Sequence, residues 1–220
     1  SVDLRGLPTE AAWDLGRRSA EQLLELYELE EGEPLRHLAL SVWGTATMRN
    51  GGEEIAQMFA LLGVRPVWDG PTRRMVDLEL IPLTLLERPR VDVTLRMSGL
   101  FRDAFPQLIA WVDQALRMVA RLDETDSDNP LAALTRREGA QARLFGSAPG
   151  SYGAGLQALI DSGQWDQRDD LAEAYLAWSS WRYDANTTAQ SDRTGLEQAL
   201  RDVQVVLHNQ DNREHDLLDS

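Results

Sequence analysis

Apolar residues recur at helical spacing over residues 8–30. Pro8-Thr9 opens the segment, Ala12, Leu15, Leu23, Leu26 and Tyr27 supply the apolar positions, and Glu31-Gly32-Glu33-Pro34 closes it. This pattern predicts an amphipathic helix. The period changes at His37, where His37 to Trp43 reads as a short, mostly apolar strand running into Gly44-Thr45. A polar loop is expected over Met48-Arg49-Asn50-Gly51-Gly52, and then a compact helix. In that helix Ile55, Met58, Phe59 and Leu62 fall at i, i+3, i+4 and i+7, with Gly63 as the stop. Residues 64–69 and 75–81 are strand candidates separated by a Gly70-Pro71 turn, and Val91 to Met97 alternates as a strand does. After Ser98-Gly99 comes the longest predicted helix, with Asp103 as N-cap and Phe105, Leu108, Ile109, Val112, Leu116, Val119 and Leu122 as its apolar stripe.

This order, with short turns, predicts an α/β fold: a mainly parallel open sheet flanked by helices. Residues 123–130 are acidic and polar, a linker composition. Beyond them helices are expected over 133–145 and 169–178, with a Gly-rich loop at 146–155 between them. A polar stretch, 183–192, precedes a helix at 195–201 and a last strand at 203–208. The organisation expected is an α/β layer with an N-terminal helix (1–123), a mostly helical insertion (124–200), and a last strand with its closing motif rejoining the sheet (201–220). No internal repeat is visible.

Composition narrows the chemistry. A chain of 220 residues has room for one sizeable core or two small ones. Its net charge of −14 repels a phosphate backbone, and its arginines stand singly or in pairs among acids, so nucleic acid is not an expected partner. Cysteine is absent, which removes disulfides, thiolate catalysis and thiolate metal sites, and is compatible with a cytoplasmic setting. All 22 basic residues are Arg. Without Lys there is no P-loop lysine and no Schiff base, so any ATP that drives the process must bind another polypeptide. No apolar run approaches the roughly 18 residues that span a bilayer. The start at Ser1 and the stop within a charged run read as the ends of an excised piece.

In an open parallel sheet, ligands gather beyond the carboxyl ends of the strands. Three predicted strands end in polar or Gly-containing turns, Trp43-Gly44-Thr45, Met97-Ser98-Gly99 and His208-Asn209-Gln210, which would meet on one edge if the strands are parallel. The last of these leads into the densest chemistry in the chain. Asp211, Glu214, His215 and Asp216 place oxygen and imidazole ligands within six residues, a set suited to a divalent transition metal. The same groups would serve as a general base, and the same composition also describes a solvated acidic turn. The loop Gly146 to Gly155 lacks the lysine and the preceding strand of a nucleotide site, and reads as a tight turn with close backbone approach. Of seven tryptophans, Trp43 alone falls on the predicted edge; the others read as packing residues.

Several strings, in order and spacing, resemble the large subunit shared by aerobic cobaltochelatase (CobN) and magnesium chelatase. They are Val42-Trp43-Gly44-Thr45, Gly52-Glu53-Glu54-Ile55-Ala56-Gln57, Leu62-Gly63-Val64-Arg65-Pro66 and Glu79-Leu80-Ile81-Pro82-Leu83. Arg88-Pro89-Arg90-Val91-Asp92-Val93, Ser98 to Asp103, Phe145 to Gly153 and the closing Asn209 to Ser220 follow. The resemblance implies a piece from the C-terminal half of a subunit that binds a tetrapyrrole, while AAA-type ATPase subunits hydrolyse ATP with Mg. Gln210 to Asp216 is similar to the cobalt branch, which implies Co2+ as substrate ion and a corrin ring of the hydrogenobyrinic acid a,c-diamide type. Glu214 and His215 are then the expected groups for metal delivery or proton removal, with Asp211 and Asp216 in support. Trp43, Thr45, Ser98, Arg102, Asn209 and Gln210 are the expected substrate-lining residues. The expected partners are those ATPase subunits, the tetrapyrrole and the rest of the large subunit, and the piece alone is expected to be inactive. Ser179 to Tyr183 departs from a usually Gly-rich stretch, and no contact is assigned there. The alternatives are a magnesium-type subunit acting on protoporphyrin, and an α/β small-ligand or scaffold module without catalysis.

Overall fold

Thr9 starts the first helix by accepting a hydrogen bond from the Ala12 amide on its side-chain oxygen, and Gly32, at φ 74°, ends it. The computed structural model describes residues 3–151 and 179–208. Within them α1 (Glu10–Glu31) lies on α3 (Glu53–Leu62), and the contact face of α1 is built from Ala12, Gly16 and Ala20. A Cβ on Gly16 would stand 2.7 Å from the Cβ of Ala56 and from the Gln57 amide nitrogen, so only glycine permits this approach. Between them the expected polar loop at 48–52 is largely helix. Gly44–Asn50 form α2, closed by Gly51 at φ 77°. A helix this short carries too few apolar residues for periodicity to reveal it.

The predicted strands at 64–69 and 75–81 exist as β2 (Val64–Trp68) and β3 (Met75–Leu80), but among the described residues they pair only with each other, as an antiparallel hairpin. A short helix, α4 (Leu83–Leu86), follows. The single long helix expected after residue 99 is broken into α5 (Gly99–Ala104) and α6 (Pro106–Ala120). Pro106 explains the break: it lacks an amide to donate backward and is suited to the first turn of a new helix. Asp103 is therefore not an N-cap; Ser98 caps α5, and Asp103 binds Arg102 instead. The helix expected over 133–145 also divides. Asn129 caps α7 (Pro130–Glu138), Gly139 ends it, and Leu144–Gly146 form strand β5. The polar stretch expected before residue 192 holds a second hairpin, β6 (Trp181–Tyr183) and β7 (Ala189–Ser191), ahead of α8 (Arg193–Arg201) and β8 (Val205–His208).

The main sheet runs β7-β6-β5-β4-β1-β8, with β1 as His37–Val42 and β4 as Asp92–Met97. β8, β1, β4 and β5 are mutually parallel, and β6 and β7 extend the sheet antiparallel. The chain is thus an α/β protein with a mostly parallel sheet flanked by helices. Among the described residues, those in 124–200 contribute three strands to this sheet besides two helices; the helix expected at 169–178 lies outside the described residues.

Alternation along the strands makes the two faces of the sheet unlike. Leu38, Leu40, Val42, Val93, Leu95, Met97 and Leu144 join the main core with residues of α3 and α6. Their sequence neighbours point the opposite way. That second face carries His37, Ala39, Ser41, Asp92, Thr94, Arg96, Arg143 and Phe145, and α8 covers Phe145 through Leu196 and Ala199. Ser41, Asp92, Thr94 and Arg143 are buried, so this face is both enclosed and polar.

Candidate functional site at the carboxyl ends of the parallel strands

The pairing puts the exits of the strands side by side. Val42 lies opposite Met97, Met97 opposite Gly146, and Ser41 opposite His208. The turns after β1 and β4 are tied by one side chain. Ser98 Oγ accepts from the Phe101 amide at 3.1 Å, capping α5, and from the Gly44 amide at 3.3 Å, at the start of α2. The Ser98 amide in turn donates to the Val42 carbonyl. Gly44 is required where these turns meet, since a Cβ there would stand 2.6 Å from Leu100 Cγ and 3.0 Å from the Phe101 nitrogen. Ser98 is on the edge, with its hydroxyl oxygen occupied by two backbone donors.

Arg102, from α5, holds the turn after β5. Its Nη1 reaches the Ser147 carbonyl and hydroxyl at 3.2 Å each, the Ala148 carbonyl at 3.1 Å, the Ser151 carbonyl at 3.3 Å and the Tyr183 hydroxyl at 3.4 Å. Nε and Nη2 form a paired contact with Asp103 at 2.8 and 3.2 Å, and the guanidinium stacks 5.9 Å from the Tyr183 ring centroid. Burial would lower the Arg102 pKa, but the Asp103 carboxylate and the Tyr183 hydroxyl raise it above its ordinary value. Tyr183 OH donates to the Ser147 carbonyl, and Ser147 Oγ donates to Ser151 O at 2.5 Å. Carbonyls of Ser147, Ala148 and Ser151 therefore turn onto a cation. A phosphate site would need amides in their place; contrary to the expectation, a strand, β5, does lead into this loop, and its residues beyond Ser151 lie outside the described ones.

Trp43 and Thr45 flank the first turn, both half-buried. The Arg96 guanidinium lies 5.8 Å from the Trp43 ring centroid and donates through Nε to Ser179 Oγ at 2.9 Å. Trp43 Nε1 is buried and has no hydrogen-bond partner among the described residues, which leaves a strong donor unused at the edge. Arg96, Ser147, Ser179 and Tyr183 escaped the sequence reading. A charged residue in an alternating strand reads as solvent-facing, and the others acquire meaning only through contacts 30 or more residues away in the chain. Asn209, Gln210, Asp211, Glu214, His215 and Asp216 lie outside the described residues, as does the loop beyond Ser151. Among the described residues, no three His, Asp or Glu side chains gather as metal ligands would.

The amino ends of the same strands are closed by ion pairs. Arg143 grips Asp92 through two contacts, 2.8 and 3.0 Å, and His37 Nδ1 adds a third at 3.2 Å. Burial would push the Asp92 carboxyl up, but the His37 hydrogen bond and the Arg143 charge together hold it below its ordinary value. Nearby, Arg88 donates to the Ala60 carbonyl at 2.5 Å and to the Leu61 carbonyl at 2.9 Å, and Arg90 donates to Gly63 and Ile81 and pairs with Glu124 at 2.8 Å. The Arg88-Pro89-Arg90 string thereby satisfies carbonyls at the end of α3. Burial lowers the Arg88 pKa to about 10, with the Arg90 charge adding to the effect.

The whole chain, residues 1–220, matches the family model described as CobN/Magnesium Chelatase. It is 52% identical to the aerobic cobaltochelatase subunit CobN of Pseudomonas aeruginosa, covering all of this chain and 19% of that protein. It is 30% identical to the magnesium-chelatase subunit ChlH of Oryza sativa subsp. japonica, again over all of this chain and 17% of the relative. The catalytic subunit of cobaltochelatase from Mycobacterium tuberculosis superposes with a TM-score of 0.91 at 44% identity, covering all of this chain and 19% of that one. The chain therefore spans about a fifth of the length of the relatives it matches. The chain belongs to the CobN/magnesium chelatase family.

Proposed function

We propose that this chain forms part of the tetrapyrrole-binding large subunit of an ATP-dependent cobaltochelatase. The intact enzyme inserts Co2+ into a corrin ring of the hydrogenobyrinic acid a,c-diamide type. One observation carries the reading: four parallel strands bring their carboxyl ends together, and the last of them, β8, delivers the chain directly to the segment bearing Asp211, Glu214, His215 and Asp216. The higher identity to a CobN subunit than to a magnesium-chelatase subunit favours cobalt. The absence of Lys keeps a P-loop lysine out of these 220 residues, and in the same reading ATP and Mg bind on AAA-type partner subunits and the enzyme works in the cytoplasm.

In this reading Glu214 and His215 take up pyrrolic protons or hand over the metal ion, and Asp211 and Asp216 lower the cost of bringing a dication to the ring. Trp43 and Thr45 line the edge, and Asn209 and Gln210, next in sequence after the last strand, are proposed to contact the ring with them. Ser98 and Arg102 act through the backbone they hold, because the hydroxyl of one and the guanidinium of the other are engaged by this chain. The test is metal insertion by the full-length subunit with its ATPase partners, with tetrapyrrole binding measured separately. Glu214→Ala and His215→Ala should each lower turnover by at least about 100-fold, the scale of a lost general base, while the ring still binds. Normal turnover in both variants overturns the site assignment, and insertion of Mg2+ into protoporphyrin in place of cobalt overturns the choice of branch.

A further inference from the structure

One face of α1 has no partner among the described residues, and its chemistry specifies what would cover it. The opposite face, through Ala12, Gly16 and Ala20, is buried against α3. On the outer face Leu26 is 53% exposed and Leu29 is 82% exposed, with Leu15 at 49%. Leu26 and Leu29 stand three residues apart at the carboxyl end of this face, and the same 3- and 4-residue spacing continues through the polar Gln22 and Ser19 to Leu15, so the apolar part of the seam lies at its two ends. Glu25 and Glu30 flank this seam, and Glu28, Glu31 and Glu33 stand close by. No Arg lies between Arg18 and Arg36, and of the glutamates from 21 to 33 only Glu21 has an ion-pair partner among the described residues, Arg17 at 3.0 Å. Large exposed leucines interleaved with unpaired carboxylates mark a contact surface whose complement is apolar with basic flanks.

We infer that the outer face of α1 docks an amphipathic helix with Lys or Arg beside its apolar seam, supplied by the part of the large subunit beyond these 220 residues. Two arguments select that occupant. Two copies of this chain would set glutamates against glutamates on a molecule of net charge −14, which disfavours self-pairing. The relatives are about five times longer, so most of the polypeptide that such a subunit folds around this sheet is available to cover it.

The experiment is thiol labelling of the full-length subunit carrying Leu29→Cys, with the modified peptide quantified by mass spectrometry. Because residues 1–220 hold no cysteine, the label in this region reports one site. The subunit alone should react at least about tenfold more slowly at position 29 than the same protein in denaturant, because reaction must await local opening. Adding Glu25→Lys and Glu30→Lys should return the rate most of the way, with unchanged circular dichroism. Labelling of the subunit alone at the denatured rate overturns the proposal. So does protection that appears only when the ATPase subunits are added, since the occupant is then another protein. Protection indifferent to the charge reversals overturns it as well, because the basic flank is what selects this occupant.

Discussion

The two faces of the central sheet are made from the same strands and solve different problems. One face is hydrocarbon: Leu38, Leu40, Val42, Val93, Leu95 and Met97 pack with α3 and α6 and require nothing but complementary shape. The other is enclosed yet polar, with Asp92 3% exposed, Arg143 5% exposed, and Ser41 and Thr94 buried beside them. Parallel strands covered on both sides usually read as continuous apolar runs. Here they alternate, and each polar group on the second face must find a specific partner. At the amino end the partners are internal, in the His37–Asp92–Arg143 cluster. At the carboxyl end they hold turns in place, and Trp43 Nε1 is left with none among the described residues. The apolar face supplies adhesion; the polar face supplies fixed geometry.

Single substitutions on the two faces should therefore fail differently. Arg143→Met leaves the Asp92 carboxylate buried with only His37 and should cost about 3–5 kcal/mol, whereas the pair Asp92→Leu with Arg143→Met should recover most of that loss. Leu95→Ala, on the apolar face, should cost about 2–5 kcal/mol with no partner able to rescue it. Denaturant melts of the three variants check both statements. The faces also separate by pH. The Asp92 pKa is lowered in the folded state, so its contribution is whole above the unfolded value near 3.8 and is lost as pH falls through the folded value. The stability difference between the parent and Asp92→Asn should shrink through that acid range, while the difference caused by Leu95→Ala stays flat.

Smaller effects are expected at the carboxyl edge. Gly44→Ala drives a methyl against Leu100 and the Phe101 amide and should cost about 1–3 kcal/mol, read from thermal melting. In the full-length enzyme it should also weaken ring binding, because α2 and α5 begin at that contact. Trp43→Phe removes an unpartnered donor and keeps a ring under Arg96, so stability should change by less than about 1 kcal/mol. If Trp43 Nε1 meets the substrate, the same variant lowers affinity for the ring at unchanged stability; equal affinity removes Trp43 as a polar contact.

Long, strongly periodic segments were legible before any coordinates. The extent of α1, the i, i+3, i+4, i+7 set of α3 and the alternation of β4 each sit where periodicity predicts, but Leu15 and Leu26 of the stripe expected in α1 turn away from the core, which Ala12, Gly16 and Ala20 face instead. Short elements were not legible. The α2 helix, the three-residue strands β5, β6 and β7, and the break at Pro106 carry too few residues for a period to emerge. The convergence of strand ends was visible as three polar turns, but its content was only half visible. Trp43 and Ser98 stand at turns that could be marked, whereas Tyr183 and Ser147 reach Arg102 from 81 and 45 residues away.

By itself the sequence determined which segments are amphipathic, that no lysine or cysteine chemistry resides here, and which family the chain belongs to. The first two follow from local order and composition, and the family follows from the strings the chain shares with known relatives. Only the tertiary structure decided that β2 and β3 stand apart from the main sheet, that one face of that sheet is enclosed and polar, and that Arg88, Arg90 and Arg102 serve backbone carbonyls. The reason is physical: a guanidinium has the same charge wherever it stands, and whether it meets solvent, substrate or a carbonyl depends on what the fold brings within about 3 Å of it.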